Sequence, residues 1–184
     1  MTPRLVLVAA IAVALSTSDA NAQTVPLLSG DLTAGAGSTT EHVGNTWFRT
    51  SSSSMTSADL AVRIGGAGQL RPVVVAGYSF NAFGADQTSD CPLAPGGGCK
   101  VYFPRTFGPS IGVGLRDAIS ERFLLGVTAG IASFTNQARF AEVAASWRLI
   151  THLAVVGKFR YFDMPYVGQH VWFAPITVGA RLTW

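Results

Sequence analysis

Residues 172–184 read WFAPITVGARLTW, and every second residue of the stretch is apolar: Trp172, Ala174, Ile176, Val178, Ala180, Leu182 and Trp184. Between them stand Phe173, Pro175, Thr177, Gly179, Arg181 and Thr183. Successive side chains of a β-strand point to opposite faces, so the two sets occupy opposite sides of one strand. The apolar face is unbroken and carries tryptophan at both ends. That is the pattern of a strand that meets lipid between two aromatic girdles.

Moving backwards from this stretch, the same period recurs. Leu153, Val155, Gly157, Phe159 and Tyr161 alternate with His152, Ala154, Val156, Lys158 and Arg160. Ala141, Val143, Ala145, Trp147 and Leu149 alternate with Phe140, Glu142, Ala144, Ser146 and Arg148. Further strands are predicted over 123–132, 107–116, 71–80 and 59–65, and a first over 28–36. In it Leu28, Gly30, Leu32 and Ala34 oppose Ser29, Asp31, Thr33 and Gly35. Eight strands can close as an up-and-down meander with both termini at one end. The fold expected is all-β, an eight-stranded antiparallel up-and-down transmembrane β-barrel. Short turns fall at 66–69, 117–121 and 150–151. At the other end long gaps are expected over 37–56 and 81–106, a shorter one over 163–170, and a tight turn at 134–137.

The composition agrees with spread-out apolar residues. The 184-residue chain is 48% hydrophobic and only 12% charged, against about 25% charged in typical soluble domains. A soluble eight-stranded barrel of the lipocalin or avidin kind would keep its apolar face inside. Here nearly all strand charges share one face, so a soluble barrel would be left with a greasy exterior. The net charge of +3 comes mostly from arginine, with lysine only at 100 and 158. No basic block exists, which argues against nucleic acid as a partner.

The N-terminus carries a separate signal. Arg4 precedes an apolar run over 5–15 (LVLVAAIAVAL), followed by polar residues and the small-x-small triplet Ala20-Asn21-Ala22. This is the pattern of a secretory signal peptide over 1–22, cleaved between Ala22 and Gln23. The apolar run is shorter than the roughly 18 to 20 residues that a membrane-spanning helix needs. Residues 23–184 then form the barrel.

An eight-stranded barrel is only wide enough inside for side chains. Charges that face inward must therefore pair, because isolated burial is costly. Counting back from the turn at 150–151, Glu142 lies level with Lys158 and Arg160. Closure of the barrel would bring Asp31 of the first strand to Arg181 of the last. Asp59, Arg63 and Arg71 add inward charge on the second and third strands. Such a network either satisfies and stiffens the interior or lines a narrow arginine-rich pore that would favour anions. Arg116, Arg148 and Arg181 are expected at a solvated rim.

In the second long gap, Cys91 and Cys99 bracket a Pro- and Gly-rich segment whose ends can meet. A disulfide is expected there, in keeping with an exported chain. A metal site is disfavoured, because two thiols stand without a nearby histidine. No cofactor is expected. The serine run 51–54 reads as polar and flexible, and Trp47 and Phe48 beside it either anchor at the headgroups or extend a strand. Hydrolase chemistry would need histidine within reach of serine and an acid. The histidines are His42, His152 and His170, and His42 with Ser89 and Asp90 in the external gaps is an arithmetical triad only. The chain is expected not to be an enzyme.

Ile176, Val178, Ala180 and Leu182 in alternation, ending on aromatic Trp184, look like the terminal β-signal of bacterial outer-membrane proteins. With the leader and the eight strands, the chain resembles the small OmpA/OmpX-type barrels and the OmpW-like porin family. The resemblance is of pattern and covers the whole of residues 23–184. It implies residence in the outer membrane, contact with outer-membrane lipids and lipopolysaccharide, and recognition of the last strand by the assembly machinery during insertion. It also implies a structural or surface-interaction role, with a barrel that could pass small solutes. An OmpW-like conduit for small apolar molecules and a lipid A-modifying enzyme are the alternatives. A monomer is the default.

Overall fold

The alternating stretch 172–184 becomes the last strand of a closed sheet in a computed structural model. The structure describes residues 24–43, 46–83, 88–90, 98–100, 106–134, 137–166 and 169–184. The strands are β1 (Leu28–Val43), β2 (Thr46–Arg63), β3 (Leu70–Phe83), β4 (Thr88–Asp90), β5 (Gly98–Lys100), β6 (Thr106–Ala118), β7 (Phe123–Ser133), β8 (Gln137–Ile150), β9 (Leu153–Tyr166) and β10 (Gln169–Thr183). Eight of them close a barrel in the order β1-β10-β9-β8-β7-β6-β3-β2, all antiparallel, while β4 and β5 pair with each other inside the long β3–β6 connection. The leader 1–22, the Ala22–Gln23 bond and Cys91 lie outside the described residues.

Closure is made by β1 and β10, which pair from Ser29↔Thr183 through Asp31↔Arg181 to His42↔His170. Leu28 and Trp184 exchange backbone hydrogen bonds at its lower edge, at 3.2 and 2.9 Å. A Cβ built at Gly179 would run into the carbonyl of Leu32. Glycine there lets the two end strands approach.

The two faces of every barrel strand part as the alternation predicts. Leu32, Leu60, Tyr78, Ile111, Val113, Ile131, Trp147, Val155, Phe159, Ile176 and Val178 are exposed on the outside. Asp31, Asp59, Glu142, Lys158, Arg160 and Arg181 are buried on the inside. A water-facing surface would bear the reverse distribution. An apolar outer belt around a polar interior is the requirement of a barrel wall in lipid, and a closed sheet leaves no edge unpaired.

Strand ends depart from expectation at the end away from the termini. The gap expected over 37–56 is almost entirely strand, with only 44–45 between β1 and β2. The run 51–54 is part of β2. Hydroxyl side chains suit an extended segment with a polar inner face: Ser53 Oγ donates to the Gly37 carbonyl at 2.6 Å, and Ser57 lies 2.9 Å from Thr33 Oγ1. Composition alone does not distinguish such a strand from a loop. Likewise the gap expected over 163–170 shrinks to 167–168. With 16 and 18 residues, β1 and β2 exceed the roughly 9 to 11 that cross a bilayer. The hairpin therefore stands well beyond the apolar belt.

At the opposite end, the residues before β1 fold under the barrel. The Val25 amide donates to Gly68 O at 2.9 Å, and Val25 packs with Ala61, Val73, Val75 and Ala118. Its partner Gly68 belongs to the turn 64–69, where Gly65 takes φ of +84°, a conformation that side chains with a Cβ rarely adopt.

Gly179→Val should weaken closure of the barrel, costing on the order of 1–3 kcal/mol through overpacking. The measurement is the urea unfolding midpoint of protein refolded in lipid.

Candidate functional site: a charge layer inside the barrel

Period two on β1, β2, β8, β9 and β10 sends acids and bases to one level of the lumen. Asp31 and Asp59 are Cα partners on β1 and β2. Two like charges directly opposite repel, and Lys158 of β9 stands between them, its Nζ 2.8 Å from Asp31 Oδ2 and 2.7 Å from Asp59 Oδ2. Arg181 of β10 grips Asp31 with both sides of its guanidinium, Nε to Oδ1 at 2.7 Å and Nη2 to Oδ2 at 2.8 Å. Its third nitrogen, Nη1, donates to Ser146 of β8 at 2.9 Å.

Arg160 performs the same service one step along β9. Its Nε donates to Glu142 Oε2 at 2.7 Å and its Nη2 to Asp59 Oδ2 at 2.9 Å. Ser57 Oγ adds a bond to Asp59 Oδ2 at 3.1 Å. All six charged side chains are at most 5% exposed. A bidentate arginine–carboxylate pair is among the stronger geometries available to buried charge. Gly77, the β3 partner of Asp59, makes room for this carboxylate: a Cβ there would collide with Asp59 Oδ1.

Six of the eight inward charges singled out in the sequence thus meet at one level: Asp31, Asp59, Glu142, Lys158, Arg160 and Arg181. Arg63 and Arg71 do not join them. Both sit at the terminal end of the barrel, where Arg63 Nη1 donates to the Val25 carbonyl at 2.5 Å and Arg71 Nη2 to Ala67 O at 2.7 Å. Strand β2 ends at Arg63 and β3 begins at Leu70, so these side chains serve the turn and the segment tucked beneath it. Arg116 and Arg181, both expected at the solvated rim, are instead only 6% and 2% exposed; Arg181 lies in the charge layer, and Arg116 donates to Ser29 Oγ across the lumen at 2.5 Å. Because β6 continues to Ala118, position 116 stands one step inside the barrel. The signal was available in the Arg116-Asp117-Ala118 run, had the strand been extended through it.

A second layer, unforeseen as such, lies on the side of the charges away from the termini. Phe162 of β9 centres it, with ring centroids 5.5 Å from Phe134, 5.9 Å from Phe140 and 5.9 Å from Phe173. Met55, Met164 and Val171 complete the cluster. The alternation Lys158, Arg160, Phe162, Met164 continues straight through the supposed gap at 163, and carrying the period on would have found it. Arg160 joins the layers, its guanidinium carbon 5.2 Å from the Phe140 ring centre and 5.8 Å from that of Phe162, within cation–π range. A Cβ at inward-facing Gly112 or Gly130 would meet the Phe140 ring, which occupies the space beside both.

The remaining sequence candidates lie apart. Register places His42 opposite His170 on β1 and β10, and Ser89 and Asp90 lie in β4, in the separate sheet. Among the three histidines, only His152 has a described side chain; it is exposed and its Nδ1 lies 2.9 Å from Thr183 O, not from a serine. Cys99 falls in β5, and its pairing with Cys91 is outside the described residues. Among the described residues no group of three His, Cys, Asp or Glu is placed to hold a metal ion. Outside, Ile176, Val178, Ala180 and Leu182 form one exposed row on β10, and Trp184, one residue past the strand, is exposed beyond them.

No protein-family model and no curated protein matches the chain. Solved structures do. Neisserial surface protein A aligns over 85% of this chain and 97% of its own, with a TM-score of 0.50 at 15% identity. A de novo designed transmembrane β-barrel aligns over 84% of this chain and 97% of its own, with a TM-score of 0.48 at 12% identity. Ail of Yersinia pestis, solved with a heparin analogue, aligns over 84% and 99%, with a TM-score of 0.42 at 10% identity. At such identities the likeness concerns the fold. It is the fold of the small transmembrane β-barrels, closed here at eight strands.

Removing the central cation tests the layer. Lys158→Met leaves Asp31 and Asp59 facing each other without their bridge, and should cost on the order of 3–5 kcal/mol. A second change, Asp59→Asn, should return part of that loss in the urea midpoint, because it removes the repulsion that Lys158 relieved.

Proposed function

We propose that this protein is an integral outer-membrane barrel, a monomer, whose role is structural or surface-interacting and not catalytic. The observation that carries the reading is the inside-out distribution of the wall: exposed Leu32, Ile111, Val113, Ile176 and Val178 outside, buried Asp31, Asp59, Lys158 and Arg181 inside. In this reading the ends that carry the termini and the turns at 64–69, 119–122 and 151–152 face the periplasm. The row Ile176 to Trp184 is then the segment that the assembly machinery engages. Outer-membrane lipids and lipopolysaccharide are the standing partners of the belt. The leader 1–22 is the export signal, and Cys91 and Cys99 staple the outer connection.

Conduction through the centre is disfavoured by the filling. The charge layer spans β1, β2, β8, β9 and β10, and the rings of Phe134, Phe140, Phe162 and Phe173 close over it. Those rings contact one another, which speaks against the alternative of an OmpW-like conduit for apolar molecules. Surface interaction falls instead to the parts that stand past the belt, the β1–β2 hairpin and the β4–β5 sheet, as projecting elements on a rigid scaffold commonly carry recognition. Kinship finer than a small outer-membrane barrel, whether of OmpA/OmpX or OmpW type, rests on the terminal-strand pattern alone.

Two measurements test this. In cell fractionation the protein should be recovered with the outer membrane and run faster on gels before heating than after; recovery as a soluble periplasmic protein would overturn the membrane reading. In planar bilayers the refolded barrel should give no single-channel steps, and regular steps would sink the closed-barrel reading.

A further inference from the structure

The charge layer is not self-sufficient. Asp59 Oδ1 and Arg160 Nη1 have no hydrogen-bond partner in the protein, although the other atoms of both groups do. Above them on the inner face of β3, Ser79 Oγ and both amide atoms of Asn81 are also unpartnered, with the two residues 1% and 0% exposed. Buried polar groups left in this state destabilise a fold unless something supplies the missing bonds.

Their placement is regular. Asp59 pairs with Gly77, Ser57 with Ser79 and Met55 with Asn81. The Asp59 carboxylate lies against Gly77, where a Cβ would meet its Oδ1. Same-face positions on a strand are about 6.5 to 7 Å apart, and a molecule that makes two hydrogen bonds joins groups about 5.5 Å apart. Asp59 Oδ1, lying over Gly77, then Ser79 and then Asn81 follow one another along one inner face, each step longer than a single bridging molecule spans and within reach of two. The groups also specify what bridges them. Asp59 Oδ1 accepts only, Arg160 Nη1 donates only, and Ser79 and Asn81 do both. A cation would meet Lys158 and Arg160, and an anion would meet the bare side of Asp59. A small neutral molecule that both donates and accepts fits every group.

We infer that the inner wall of β2 and β3 is a binding seam for a short file of internal water molecules, running from Asn81 past Ser79 to Asp59 and Arg160. The file completes the hydrogen bonding of the charge layer along the polar wall, beside the aromatic rings and not through them. It solvates the layer without making a pore.

The test uses the full mature barrel refolded in lipid nanodiscs. Magnetic-resonance cross-relaxation from water should reach the Asn81 side-chain amide protons and the Ser79 backbone amide. Absence of those cross-peaks, with cross-peaks present at the exposed turn 64–69, would overturn the seam. Ser79→Ala and Asn81→Leu, read by urea unfolding, provide the second arm. Each deletes polar atoms with little added bulk, so each should lower the midpoint if water is bound there. A midpoint at or above that of the parent would mean that the seam is dry, and would overturn the inference.

Discussion

The carboxylate of Asp31 is where the first and last strands of the barrel become one surface. Arg181 takes both of its oxygens from β10, and Lys158 reaches one of them from β9. Backbone pairing of β1 with β10 would close the sheet without these groups, but would leave the register between two chain-distant strands to the pleat alone. A slip of one residue would turn Arg181 out into the belt and Ile176 and Val178 into the lumen. The bidentate pair makes that slip expensive. It couples the charge layer to closure.

The other charges follow from this one. Asp31 faces Asp59 across the β1–β2 ladder, so a cation is required between them, and Lys158 supplies it. Asp59 then needs a second partner because Lys158 is shared, and Arg160 supplies that while also neutralising Glu142. Desolvating charge costs several kcal/mol per ion, so the layer adds less net stability than its many contacts suggest. Its contribution is definition: five strands are tied to one another at one level, with Arg116 tied to Ser29 from the far wall. The aromatic layer above and the Val25 cluster below flank it on either side.

Much of this was legible in the sequence because a barrel wall is governed by a period of two. The outward and inward assignments along residues 107–116, 123–132, 140–149, 153–161 and 172–184 agree with the burial found, and Asp31 is placed beside Arg181 by closure alone. Where polarity changes without a change of period, the reading fails. The hydroxyl-rich 51–54 resembles a loop in composition but runs as strand, and Phe162 and Met164 lie past the point where Asp163 suggested a turn. Arg63 and Arg71 share the parity of the lumen yet lie at its edge, since parity reports which face a residue takes and not how deep it lies. Arg116 and Arg181, expected at the rim and found buried within, fail in the opposite sense for the same reason.

The most direct test of the account is a double-mutant cycle on Asp31 and Arg181, measured by urea unfolding in lipid. Asp31→Asn and Arg181→Met should each cost on the order of 3–5 kcal/mol, since each strands a buried charge. Together they should cost clearly less than the sum of the two. Strictly additive losses would show that the pair does not act as a unit, and would contradict the view that this contact holds the barrel closed.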